Sequence, residues 1–124
     1  MATRFVYAQL QTSDPSRATE FYRDLCGWTV TADPADEGSP YVEAFADGQS
    51  VAGIMPLPAP GINSGWLLYL AVDDLDAAVQ TAKRLGATVV VAPTDVAAKS
   101  VRISVLKDPT GASFALRGPL KTGA

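Results

Sequence analysis

The chain has 124 residues, with 10 Lys+Arg against 13 Asp+Glu, no histidine and a net charge of −3. That length suits a single domain, residues 1–124, able to bury a core without staples, and an acidic balance with no basic stripe argues against nucleic acid as a partner. One cysteine, no long apolar run and no charged-then-apolar leader lead to the expectation of a soluble cytoplasmic protein with no membrane partner.

From Phe5 to Gln11 the residues alternate, the period-two signature of a half-covered strand. Val6, Ala8 and Leu10 are expected beneath a helix, with Tyr7, Gln9 and Gln11 on the opposite face. Asp14 is a capping residue, Pro15 suits a first turn that needs no N–H donor, and Gly27 supplies a left-handed stop. Ala18, Phe21, Tyr22 and Leu25 form the apolar stripe of this helix, and Cys26 at its end is expected to be a small buried hydrophobe. A strand over Trp28 to Thr31 leads through a polar segment containing Pro34 to strands near Tyr41–Ala46 and Ser50–Met55, turned at Asp47-Gly48. Trp28 is expected in the core.

Residues 56–64 hold three prolines and read as a connection. The pattern then restarts. Trp66 to Val72 is a predicted strand, Leu75, Ala78, Val79, Ala82 and Leu85 stripe a helix between Asp74 and Gly86, and Thr88 to Ala92 is the next strand. Val101 to Leu106 and Ala112 to Arg117 close a hairpin around Lys107–Gly111. Asp14 to Gly27 spans thirteen residues, as does Asp73 to Gly86, so the order βαβββ reads as one unit used twice. The first module covers about 4–56 and the second about 65–118, an α+β class.

On the closing hairpin Val101, Ile103 and Val105 are expected to face the helix. Arg102 and Ser104, with Ser113 and Ala115, then join Leu67 and Tyr69 on the ligand-facing side, as Tyr7, Gln9, Gln11 and Met55 do in the first module. Such a lining is aromatic with a few polar anchors and suits a flat, partly apolar organic ligand. Trp66 has the opposite parity to Leu67 and Tyr69 and is expected in the core or an interface.

Thr12-Ser13-Asp14, Arg17-Ala18, Phe21-Tyr22 and Leu25-Cys26-Gly27-Trp28, followed by Val72–Ala78 and Asp108–Phe114, resemble the vicinal oxygen chelate superfamily of glyoxalases, bleomycin resistance proteins and extradiol dioxygenases. The resemblance covers nearly the whole chain. It implies two tandem βαβββ modules curling into an eight-stranded half-barrel with the helices outside, and a homodimer. It also implies a divalent metal held from the first and last strand of each module. Those positions fall on Tyr7 and Leu67, on Ala115, and within Val51 to Pro56, where Met55 offers only a thioether. Hard or borderline ions take carboxylate, imidazole or thiolate ligands, so no metal and no other cofactor is expected. Gln9 and Glu43 are the nearest substitutes, and each reads equally well as a pocket wall or an exposed strand residue. Nucleophilic triads built on histidine are impossible here.

The leading functional expectation is metal-independent binding of a small organic drug or metabolite, as in the resistance branch, rather than catalysis. The competing reading is an enzyme of the glyoxalase or dioxygenase type. It would be a lyase, isomerase or dioxygenase with displaced ligands, or a metal-free isomerase or hydrolase using Tyr7, Glu43 or Arg102. A third is a module that associates with another protein.

Overall fold

Two short sequences fix where the helices begin. In the computed structural model, which describes residues 2–32 and 41–121, the Asp14 carboxylate accepts from the Arg17 backbone N–H at 3.1 Å and the Asp74 carboxylate from that of Ala77 at 3.1 Å. Each cap satisfies a helix-end donor that has no partner within the helix. Helix α1 (Pro15–Cys26) ends at Gly27, whose φ of 70° is left-handed, and α2 (Leu75–Arg84) is followed by Leu85 and Gly86.

The strands are β1 (Phe5–Thr12), β2 (Thr29–Ala32), β3 (Val42–Ala46), β4 (Gln49–Pro56), β5 (Gly65–Ala71), β6 (Thr88–Val96), β7 (Val101–Lys107) and β8 (Ser113–Gly118). With α1 after β1 and α2 after β5, the expected α+β class and doubled βαβββ order are present. The segment containing Pro34 lies outside the described residues. Contacts divide the chain into two units, Tyr7–Leu67 and the remainder from Leu68 with the start of the chain through Val6.

In the first unit the strand order is β2-β3-β4-β1. β2, β3 and β4 run antiparallel, and β4 pairs with β1 in parallel, Leu10 opposite Ile54. The β3–β4 turn places Asp47 and Gly48 both at positive φ, the backbone of a two-residue hairpin whose twist matches its strands. Leu10, Ala44, Ala52 and Ile54 are buried on one face. Full burial of a side chain the size of Ile54 contributes about 1.5–3 kcal/mol.

Helix α1 departs from expectation. None of its residues is buried, Phe21 is 57% and Leu25 66% exposed, and Cys26 is exposed too. Its aromatic contacts centre on Tyr22, which stacks on Trp28 with centroids 5.8 Å apart and meets Trp66 edge-on at 5.2 Å and the Phe21 ring edge-on at 4.9 Å. A helical stripe records which side is apolar; it does not supply a cover for it. Val6, expected beneath a helix, is 49% exposed, and Leu85 at the end of α2 is 73% exposed.

The second unit has the order β5-β8-β7-β6, with β5 and β8 parallel and the rest antiparallel. Its core gathers Leu75 and Val79 of α2 with Leu106 and Leu116 of the sheet, flanked by Leu70, Val72 and Phe114. The even-numbered residues of β7 therefore face α2, which reverses the expected parity of the hairpin. Valine and isoleucine at 101, 103 and 105 do not mark the helix side, because the other face is apolar as well: Val105 lies opposite Ala115, which is fully buried. Among the described residues no helix is long and apolar enough to cross a membrane.

Candidate functional site

The sheet of the first unit gathers four hydroxyl- and carboxyl-bearing side chains over a glycine. Side chains on paired strands share a face when their residues stand opposite one another. Gln9 is opposite Gly53 and Glu43 is opposite Gly53, so Tyr7, Gln9 and Glu43 project on one side. The β3–β4 register then shifts between Ala44 and Phe45, bringing Ser50 rather than Val51 opposite Phe45. That bulge turns the Ser50 hydroxyl onto the face of Glu43.

The resulting contacts are specific. The Tyr7 and Tyr41 hydroxyls are 2.7 Å apart, and Tyr7 donates to the Glu43 carboxylate at 3.2 Å and 3.4 Å to its two oxygens. The Ser50 hydroxyl donates to the same carboxylate. Tyr41 is 8% exposed, whereas Tyr7 and Glu43 are half-buried. Burial, above all, and then the hydrogen bond to Tyr41 and the neighbouring Glu43 charge raise the Tyr7 phenol well beyond the ordinary tyrosine range. It stays protonated at any physiological pH and serves as a donor. Gly53 makes the arrangement possible: a Cβ there would run into the ring and hydroxyl of Tyr41 and into the Tyr7 hydroxyl.

Of the residues expected in the site, Tyr7, Gln9, Gln11 and Met55 share this face; the Gln11 side-chain amide N–H donates to Gln9 Oε1 at 3.2 Å, and Gln11 pairs in register with Met55. Leu67 and Tyr69, both buried, alternate along β5, and Tyr69 stands opposite Ala115, with Ser113 two residues before it on β8. Arg102 and Ser104 are elsewhere. Arg102 donates to both oxygens of Asp76 at 3.1 Å and to Asp95 at 3.1 Å, and Ser104, fully buried, donates to the Val91 carbonyl at 2.7 Å. They lie on the α2 side, Arg102 bordering a cavity of about 520 Å³ at the start of that helix. The guanidinium, through its hydrogen bonds first, lowers the Asp76 pKa, so this is a tie between α2, β6 and β7.

Tyr41, Ser50 and Gly53 did not emerge from the sequence. A glycine in the interior of β4 was the available signal, since such a residue marks a bulge or a close approach. Trp66, with its indole N–H donating to Tyr22 at 3.3 Å, joins the aromatic cluster on α1.

The metal implied by the superfamily resemblance finds a poor donor set. Among the described residues no group of three or more His, Cys, Asp or Glu stands together. The phenol cluster offers one carboxylate, and its three neighbouring hydroxyls are engaged with it or with each other. Such residues do not fit a divalent ion that requires several anionic or imidazole ligands.

Two βαβββ units, each with its helix beside a four-stranded mixed sheet, define an α+β protein of the glyoxalase type. The chain belongs to the glyoxalase-like domain family, which it matches over residues 7–117. It is 38% identical over 115 residues to CFP32 of Mycobacterium tuberculosis, provisionally named a glyoxylase, covering 89% of this chain and 43% of that protein. To the anthracycline biosynthesis protein DnrV of Streptomyces peucetius it is 32% identical over 123 residues, covering 86% and 44%. The chain thus spans less than half the length of these relatives. Among solved structures, a Vibrio splendidus member of the glyoxalase/bleomycin resistance protein/dioxygenase superfamily superposes with a TM-score of 0.65 at 19% identity, covering 94% and 99% of the two chains. Streptomyces coelicolor methylmalonyl-CoA epimerase superposes at 0.67 and 18%, covering 96% and 99%. These two share the fold.

Proposed function

We propose that this chain binds a small, partly aromatic organic molecule against the tyrosine-bearing face of its first unit, without a metal ion. The observation that carries the reading is the Tyr7–Tyr41–Glu43–Ser50 cluster over Gly53. The half-buried Tyr7 ring offers flat apolar area, the buried Tyr41 beside it holds it in place, and the glycine keeps the strand close beneath them. The name of the Streptomyces peucetius relative, which places that protein in anthracycline biosynthesis, supports a polycyclic aromatic ligand. The exposed Phe21 and Leu25 of α1 support a homodimer, and the exposed thiol of Cys26 suits a reducing cytoplasm.

A second reading is favoured by Glu43 alone. A carboxylate within hydrogen-bond reach of two hydroxyls is the arrangement of a general base, and a metal-free proton transfer would use it with Tyr7 as the acid.

The test is titration of the metal-stripped protein with a fluorescent anthraquinone, followed through quenching of Trp28 and Trp66, in the wild type and in Tyr7→Phe. Saturable one-to-one binding, weakened by the substitution, is expected. Absence of binding, or binding only after a divalent ion is restored, overturns the proposal. Turnover of a bound hydroxy-carbonyl compound that disappears in Glu43→Gln would move the assignment to the second reading.

A further inference from the structure

Beyond the phenols, the ligand-facing side of β1 ends in a carboxamide that is held in place without being saturated. Tyr7, Gln9 and Gln11 share that side through the alternation of the strand. The Gln11 side-chain N–H donates to Gln9 Oε1 at 3.2 Å. A carboxamide carries two N–H donors and a carbonyl acceptor. The contact uses one donor, and the second N–H and the Oε1 of Gln11 have no partner among the described residues.

The backbone beneath this group is fixed. Gln11 stands opposite Met55 in the parallel pairing of β1 with β4, and the next residue, Thr12, is buried. The Thr12 carbonyl accepts the Leu57 N–H at 3.1 Å and its hydroxyl accepts the Asp14 N–H at 3.2 Å. Gln11 and Met55 are both half-buried, and the unbranched thioether of Met55 supplies an adaptable apolar surface beside the carboxamide. Gln11 has already given up rotamer freedom to Gln9, so a ligand that pairs with it forfeits less entropy than one meeting an untethered side chain. A ligand that covers it without pairing strips water from a donor and an acceptor and leaves both unsatisfied.

Charge and length narrow the class. Gln11 is neutral, and β1 (FVYAQLQT) and β4 (QSVAGIMP) carry no charged residue, so these two strands offer no counter-charge to an ammonium or a carboxylate. Tyr7 and Gln11 are separated by about 13 Å of strand rise. A molecule that stacks on the phenol and reaches the carboxamide is therefore elongated.

We infer, building on the binding reading above, that Gln11 selects a neutral fused-ring ligand carrying a carbonyl beside an N–H or O–H, the lactam and hydroxy-carbonyl class. The ligand's N–H or O–H is given to Gln11 Oε1, and its carbonyl accepts the remaining Gln11 N–H. Gln11 is then the specificity-determining residue of the site.

Three probes of one ring system separate the contributions: phenanthridinone, which has both the N–H and the carbonyl, its N-methyl derivative, which keeps only the carbonyl, and phenanthrene, which has neither. Affinities are measured by fluorescence titration at pH 7 on the wild type, Gln11→Met and Gln11→Glu, with circular dichroism as the check on folding. The wild type should bind phenanthridinone about tenfold more tightly than the N-methyl compound, the scale of one hydrogen bond, and the N-methyl compound at least about threefold more tightly than phenanthrene. Gln11→Met, similar in length and without hydrogen-bonding groups, should bring all three to within about threefold of one another. Gln11→Glu keeps an acceptor and loses the donor, so it should retain the preference for phenanthridinone and abolish that of the N-methyl compound over phenanthrene. Equal binding of phenanthridinone and its N-methyl derivative by the wild type overturns the inference while leaving aromatic binding in place, and so does an unchanged order in Gln11→Met. Should Gln11→Met fail to fold, an unchanged order in Gln11→Glu overturns it equally. Failure of all three probes to bind the wild type overturns the binding reading and this inference with it.

Discussion

The two units share an element order and differ in where they spend their polar side chains. In the first, the face bearing Tyr7 carries two phenols, a carboxylate and a hydroxyl over Gly53. In the second, the corresponding face holds Tyr69 opposite Ala115 and Val105 opposite Ala115, while Arg102 and Ser104 are turned toward α2 and closed by Asp76, Asp95 and the Val91 carbonyl. One βαβββ frame thus supports a polar cluster suited to a ligand and, in its second use, an electrostatic tie suited to holding a helix. The frame constrains neither choice, because each depends on which strand parity receives the polar residue.

Both cores are expected to be equally demanding. Ile54→Ala in the first unit and Leu106→Ala in the second, each at a fully buried position, should cost about 2–5 kcal/mol in urea unfolding. A cost below about 1 kcal/mol at either site would show that unit to be loosely packed. The functional contrast should appear with Gly53→Ala, which crowds the phenols and is expected to weaken aromatic-probe affinity at least about tenfold with circular dichroism unchanged. Arg102→Met should do the opposite, lowering the melting temperature and leaving probe affinity within about twofold. If the two variants behave alike, the division of labour between the units is wrong.

Acid sharpens the comparison further. Asp76 is depressed by Arg102 and Asp108 by the Thr110 hydroxyl and the Thr110 and Ala112 backbone N–H groups. Both folded-state values lie below the unfolded one, so their stabilisation is complete above about pH 4, the ordinary carboxylate value, and is lost as pH falls through the folded values. Melting curves between pH 7 and pH 3 should show a decline that Asp108→Asn makes shallower. Smallest of all is Val6→Asp: at a half-exposed position it is expected to cost less than about 1 kcal/mol, where a residue beneath a helix would abolish folding.

The elements were legible because helix caps and stops are local chemistry. Asp14, Pro15 and Gly27, and Asp74 and Gly86, act on backbone groups three or four residues away, and a single sequence shows such pairs directly. Facing was harder. Val101, Ile103 and Val105 alternate with Arg102 and Ser104, and burial of the branched residues under α2 was the simpler expectation; the salt bridge of Arg102 to Asp76, 26 residues away on a helix, has no local trace, and the one to Asp95 depends on the register of the adjacent strand. The same holds for the site. Tyr7 follows from the strand pattern of β1, but its partners Tyr41 and Glu43 lie 34 and 36 residues away, and Ser50 reaches them through a bulge that periodicity passes over. The exposed Phe21, Leu25 and Cys26 show the converse, an apolar stripe legible in sequence whose covering was not.

The parallel pairing of β1 with β4, and of β5 with β8, has an architectural consequence. Each unit receives the chain on one strand and releases it from the strand alongside, as the Leu57 N–H bonded back to the Thr12 carbonyl illustrates. Wiring of that kind lets a polypeptide grow by whole blocks appended end to end, with every ladder already built left untouched.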